Sequence, residues 1–141
     1  MTIGAAWIRR DGDGEALWVA SDSRLSGDGN IWDTCPKLIA LPRRDAVAGF
    51  SGSTAQAYPL LLQMANSISS YHPARDGTLE FLDLVGHLER VANDMMRSLE
   101  PDRGIVGATD SEGVFATYGD SLVIGGYSRA QNCMVLRALG Y

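Results

Sequence analysis

"AVAGFSGSTAQAYPLLLQMANSISS" runs from Ala46 to Ser70, and its hydrophobic period changes partway along. Ala46 to Phe50 is a short apolar run that follows the turn "PRRD", as a strand would. From Ser53 onward the apolar residues Ala57, Leu60, Leu61, Met64, Ala65 and Ile68 recur at the spacing of one helix face, which predicts a helix up to about Ser70. Pro59 is expected in or near the first turn, since deeper in the rod it would remove a hydrogen bond at a cost of about 3 kcal/mol.

Upstream of this switch the chain reads as strands. Thr2 to Arg10 and Ala16 to Ala20 flank "RDGDGE", whose two Asp-Gly steps signal a β-hairpin with an elongated tip. "SGDGN" is a second turn, and "IWDTCPKLIAL" leads as extended chain into a short strand, so four strands precede the helix. Downstream, the linker "YHPARDG" ends at Thr78, the expected N-cap of a second helix that buries Leu79, Leu82, Leu84, Val85, Leu88, Val91, Met95 and Leu99. "GIVGATD" and "VFATYGD" around "SEG" read as a second hairpin, "SLVIGG" as one more strand, and "SRAQNCMVLRAL" as a third helix, with Ser128 at its cap. Strands and helices segregated into blocks indicate an α+β fold with antiparallel sheets rather than a doubly wound parallel sheet.

Composition narrows the functions open to such a fold. A chain of 141 residues with 45% hydrophobic positions suits one domain, residues 1–141. Its net charge of -5 is scattered, with no polybasic patch for nucleic acid or membrane. "MTIGAAWIRR" lacks the features of a secretory signal, and no run reaches the length of a membrane span, so a cytoplasmic location is expected. Cys35 and Cys133 are far apart without CxxC or a His at ligand spacing, and read as small apolar residues. His72 and His87 read as loop and helix-surface residues, and "DGDG" lacks the later glutamate of a calcium loop, so no metal is expected.

Five short motifs in fixed order carry a resemblance: "MTI", "VASDSR", "CPKL", "AVAGFSGSTAQA" and "LVIGG". Together the chain resembles a subunit of the proteasome β-type and HslV-like N-terminal nucleophile (Ntn) hydrolases. That resemblance implies a four-layer αββα sandwich of antiparallel sheets, with the N-terminal Thr in the cleft between them. The family domain usually continues through further strands and a helix, so the C-terminal part here reads as short. The resemblance further implies a threonine protease, active on peptide or amide bonds of a peptide or unfolded-protein substrate, needing no cofactor. It also implies a homo-oligomeric ring, which an ATPase unfoldase can serve. The paired Met95 and Met96 in the second helix, with leucines on more than one face, fit helix-to-helix packing between subunits.

Carried over residue by residue, the site would comprise Thr2, Asp22, Lys37 and Gly52. A Thr hydroxyl is a poor nucleophile until a base takes its proton, and a terminal α-amine can serve as that base on the same residue. The Lys37 ammonium would depress that amine's pKa and offset the emerging alkoxide, while Asp22 keeps Lys37 charged. The Gly52 N–H is the candidate oxyanion donor. Taken singly, Asp22 also reads as a turn residue, Lys37 as a strand-edge lysine, and Gly52 as a helix-entry glycine before an N-cap at Ser53 or Thr54. Gly125 and Gly126 read equally as close-packing glycines and as site-lining ones. Removal of Met1 would leave Thr2 terminal. Retention of Met1 would put it in the nucleophile's place, and the chain would be a catalytically silent assembly or binding subunit. A small-molecule amidase on the same fold is a third reading.

Overall fold

The computed structural model describes residues 4–12, 14–27, 30–99, 106–110, 115–116 and 121–140. The element order is β1 (Gly4–Asp11), β2 (Gly14–Ser21), β3 (Leu25–Gly27), β4 (Asn30–Trp32), β5 (Leu38–Ala40), β6 (Ala46–Ser51), α1 (Thr54–Ser70), α2 (His72–Arg75), α3 (Phe81–Leu99), β7 (Val106–Asp110), β8 (Phe115–Ala116), β9 (Ser121–Ser128) and β10 (Cys133–Gly140). It is a mixed α+β fold whose sheets are antiparallel, with strand orders β2-β1-β8, β5-β6-β9-β10-β7 and a small β3-β4 hairpin. β1 lies in the middle of its sheet, between β2 and β8.

The five-stranded sheet is covered on both faces, and the adjacent Gly125 and Gly126 in β9 show how. A Cβ at Gly126 would lie 2.3 Å from Phe81 Cε2 and 2.6 Å from the Asp45 carbonyl oxygen, on the side where the helices pack. A Cβ at Gly125 would lie 2.3 Å from Leu17 Cδ2, on the side of the three-stranded sheet. Consecutive strand residues point to opposite faces, so each glycine admits a bulky side chain from a different layer. These glycines are therefore close-packing residues. Helices α1 and α3 bury Leu60, Leu61, Met64 and Ile68 against Phe81, Leu84, Leu88, Ala92 and Met96. Each of these Leu, Ile, Met and Phe side chains contributes roughly 1.5–3 kcal/mol relative to exposure.

Several expectations are corrected. The segment expected as a third helix is a turn over residues 129–132, with Asn132 at φ 54°, followed by β10. β10 pairs along its length with β9 and also with β7. A strand apolar on both faces has no alternation to betray it, and its partners are distant in sequence. Of the stretches "GIVGATD" and "VFATYGD", expected as a hairpin, the described residues pair elsewhere: β7 joins β10, while β8 joins β1 in the other sheet. The short hairpin β3-β4 and the one-turn α2 occupy stretches expected as turn, extended chain or linker.

Pro59 is the sixth residue of α1, one turn deeper than expected. Thr78 is not the cap of α3, since its hydroxyl donates to the Pro73 carbonyl. Glu80 takes that role, accepting from the Leu82 N–H, and it also receives Ser128 Oγ–H at 2.6 Å, so Ser128 is a strand residue bonded to the cap rather than a cap itself. Met96 is buried and Met95 packs against the same core, so the paired methionines are core rather than a free docking face.

Candidate functional site

Asp22, Ser23 and Arg24 follow β2 directly and lie against the segment from Asp33 to Lys37. Lys37 Nζ donates to Asp22 Oδ2 at 2.8 Å, Cys35 N–H to the Ser23 carbonyl at 3.1 Å, and Arg24 Nε to Asp33 Oδ1 at 2.6 Å. Ser23 Oγ–H donates to the Asp33 carbonyl. Four contacts in register thus join the two segments at the base of the β3-β4 hairpin. From the other side, Tyr58 of α1 donates its hydroxyl to the Pro36 carbonyl at 2.7 Å, and the Phe50 N–H donates to the Lys37 carbonyl at 3.2 Å. The backbone around Lys37 is therefore held by β6 and α1 together.

The burial of the ion pair is lopsided. The Lys37 side chain is 0% exposed while that of Asp22 is 29% exposed. Burying an ammonium carries a desolvation penalty of several kcal/mol, which a carboxylate at hydrogen-bond distance offsets. Charge nearby is shared further, because the Arg24 guanidinium is held above its ordinary pKa by its bond to Asp33 and, more weakly, by Asp22. Burial, with a smaller contribution from Cys35, pushes the Tyr58 hydroxyl up, so it stays a protonated donor.

An apolar crevice opens between the two large sheets beside this pair. Its walls include Gly4, Val19, Ser21, Leu38, Gly49 and Phe50, so Ser21 and Leu38 on the wall are the chain neighbours of Asp22 and Lys37. Gly4, where β1 begins, lies opposite Ser21. Gly49 faces Leu38, and a Cβ there would lie 2.8 Å from Leu38 Cδ2, so the strands close up only because the residue is glycine.

Of the residues expected at the site, the structure brings Asp22 and Lys37 into contact. Gly52 is exposed with φ +105°, a conformation glycine adopts without steric cost, at the bend from β6 into α1. It follows Ser51, a buried residue whose hydroxyl lies 3.0 Å from that of Ser121. Ser53 is the N-cap of α1 without a side-chain cap bond. Thr2 lies outside the described residues.

The sequence reading missed Asp33, Tyr58 and the Ser51–Ser121 pair. Only Asp33 carried a local signal, a carboxylate at a turn opposite "DSR". His87, expected on a helix surface, bonds Ser67 Oγ through Nε2 at 2.6 Å and joins α3 to α1. Among the described residues no cluster of His, Cys, Asp and Glu could hold a metal ion, and no helix is long and apolar enough to cross a membrane.

A second, polar concavity lies at Arg44, Asp45, Arg75 and Asp76, where cations and carboxylates alternate. Its charges are compensated and it gathers no nucleophile. No family model, curated protein or solved structure matches this chain.

Proposed function

We propose that the chain is a threonine-type Ntn hydrolase of peptide or amide bonds, similar to proteasome β-type and HslV-like subunits. The observation that carries this reading is the fully buried Lys37 ammonium on Asp22, next in the chain to Leu38 and Ser21 on the wall of the inter-sheet crevice. A buried ion pair is weak evidence for stability, since apolar residues of like volume serve as well or better, so a fully buried ammonium held on a carboxylate near a cleft points to a working group rather than to a packing device. Gly4 lies opposite Ser21, and Thr2 is two residues earlier, within roughly 7 Å of chain.

In this reading removal of Met1 frees the α-amine of Thr2, which takes the proton of its own hydroxyl as Oγ attacks the scissile carbonyl. Lys37 offsets the charge of the alkoxide, Asp22 holds Lys37 in place, and the Gly52 N–H donates to the oxyanion. Collapse of the adduct expels the amine, and water then releases the acyl group from Thr2. The four-layer αββα sandwich, the homo-oligomeric ring, the unfolded-protein substrate, the ATPase partner and the cytoplasmic location belong to this proposal. A second reading, a catalytically silent subunit, holds where Met1 is retained, since that blocks the amine of Thr2.

Intact mass and hydrolysis decide between them. Loss of one Met residue, with peptide hydrolysis that falls by orders of magnitude in Thr2→Ala and Lys37→Ala, is the expected result. Equal residual hydrolysis in wild type and both variants, on chains with a verified N-terminus, removes the mechanism. Retained Met1 without hydrolysis supports the silent subunit.

A further inference from the structure

We infer that the hydroxyls of Ser51 and Ser121 are a positioning device that aims the Gly52 N–H at the oxyanion, an inference that rests on the hydrolase reading above. Ser51↔Ser121 is the rung at the end of β6 and the start of β9, and the two hydroxyl oxygens lie 3.0 Å apart. Ser51 is 2% exposed. Residues two apart on a strand share a face, so the pair continues the face that Gly49, Val123 and Gly125 turn towards the other sheet. The rung stands where the candidate site gathers. Phe50, one residue before Ser51, donates its N–H to the Lys37 carbonyl at 3.2 Å. Gly4, Ser21 and Leu38 wall the same crevice as Phe50, so β1 begins, β2 ends and β5 begins beside the end of β6.

The N–H of Gly52 belongs to the peptide unit that joins it to Ser51, so its direction depends on how firmly each side of that unit is held. Glycine by itself leaves the unit loose: Gly52 is exposed, has φ +105°, and lacks the Cβ that would narrow its choice of backbone angles. Downstream, the Gln56 and Ala57 amides hold the Ser53 carbonyl at 3.3 and 2.9 Å, while Ser53 makes no side-chain cap bond. Upstream, the hydroxyl pair ties Ser51 to the neighbouring strand. Glycine supplies the unusual angle, and the anchors on its two sides fix where the N–H points.

Stability alone explains the pair poorly. Cross-strand hydroxyl pairs add little to a sheet, and replacing both members of a bonded pair by apolar groups can be nearly neutral. A directed bond differs from two methyl groups in the geometry it imposes. An oxyanion donor acts only when its N–H reaches about 2.7–3.1 Å from the oxygen on which charge develops, so a small swing of the Ser51–Gly52 peptide removes its effect.

Steady-state hydrolysis of a peptide amide by wild type, Ser51→Ala, Ser121→Ala, the double variant and Ser121→Thr tests this, with Thr2→Ala as the check on the underlying reading. Each single alanine variant should lose about 10–100-fold in kcat with KM within about twofold of wild type. The double variant should lose no more than either single one, and Ser121→Thr, which keeps the hydroxyl, should retain at least about half of the wild-type kcat. Tm should fall by no more than about 5 °C. A peptide aldehyde separates aim from packing: Thr2 Oγ bonds to its carbonyl carbon, the hydroxyl proton passes to the aldehyde oxygen, and that oxygen takes the oxyanion's place. Its Ki should rise by about the factor by which kcat falls. Alanine variants with wild-type kcat, a loss that falls on KM, losses that multiply in the double variant, or an unchanged aldehyde Ki would each overturn the inference and leave hydrolysis by Thr2 standing. Hydrolysis that is absent from wild type, or that survives Thr2→Ala, overturns the hydrolase reading and the inference with it. If Ser51→Ala fails to fold, Ser121→Ala and Ser121→Thr decide alone.

Discussion

Removing the two members of the Asp22–Lys37 pair one at a time should give unequal losses of stability. Asp22→Asn leaves the Lys37 ammonium, on a side chain 0% exposed, without the carboxylate that lies 2.8 Å away. Stripping one partner from a buried pair costs about 3–5 kcal/mol. Lys37→Met keeps an unbranched apolar side chain of similar length in the slot, and it leaves behind a carboxylate that is 29% exposed and can rehydrate. That change should cost only about 0–1 kcal/mol, because the ammonium's desolvation penalty disappears with it. The double variant should regain most of the Asp22→Asn loss, a coupling of about 2 kcal/mol or more. Urea unfolding followed by circular dichroism measures all four chains, provided the denaturant slope stays constant. For a chain of this length the Asp22→Asn loss corresponds to a fall in Tm on the order of 10 °C. A Lys37→Met variant as unstable as Asp22→Asn, or a double variant no better than Asp22→Asn, would refute the reasoning from unequal burial.

Three further outcomes follow from contacts away from the site. The Glu80 carboxyl is desolvated, which alone would raise its pKa, but bonds from Ser128 and from the Leu82 and Ala130 amides hold it below the ordinary 4.5. A depressed carboxyl adds stability that is present above its unfolded pKa and is lost as pH falls through the folded value. Glu80→Gln should therefore flatten the loss of Tm below about pH 5, which a thermal melt series reads. Gly126→Ala should destabilise more than Gly125→Ala, by about 1–3 kcal/mol in chemical unfolding, because the new methyl meets the Asp45 carbonyl oxygen at 2.6 Å, whereas at Gly125 the close neighbours are the ends of Leu17 and Leu136. Tyr58→Phe should cost about 1 kcal/mol by removing the bond to Pro36 while keeping the ring on Phe50, at 5.3 Å between centroids.

The sequence by itself determined what depends on near neighbours. The change of period after Phe50 places the strand-to-helix switch, and the structure begins α1 at Thr54 and ends it at Ser70. The apolar spacing of α3 likewise marks Leu84, Val85 and Leu88, all buried. Asp22 and Lys37 were legible as a pair only through motif order, since nothing local links two residues that far apart. Tertiary structure alone decided the rest. β10 reads as a helix because a strand covered on both faces shows no alternation, and its partners β9 and β7 come from elsewhere in the chain. β7 and β8, neighbours in sequence, part company because each finds a better edge in a different sheet. The roles of Gly125 and Gly126 depend on Leu17 and Phe81, which approach from opposite layers. Period is written in adjacent residues, whereas the choice of strand partner is made by edges that meet only after the chain has folded, and a linear pattern carries no record of that meeting.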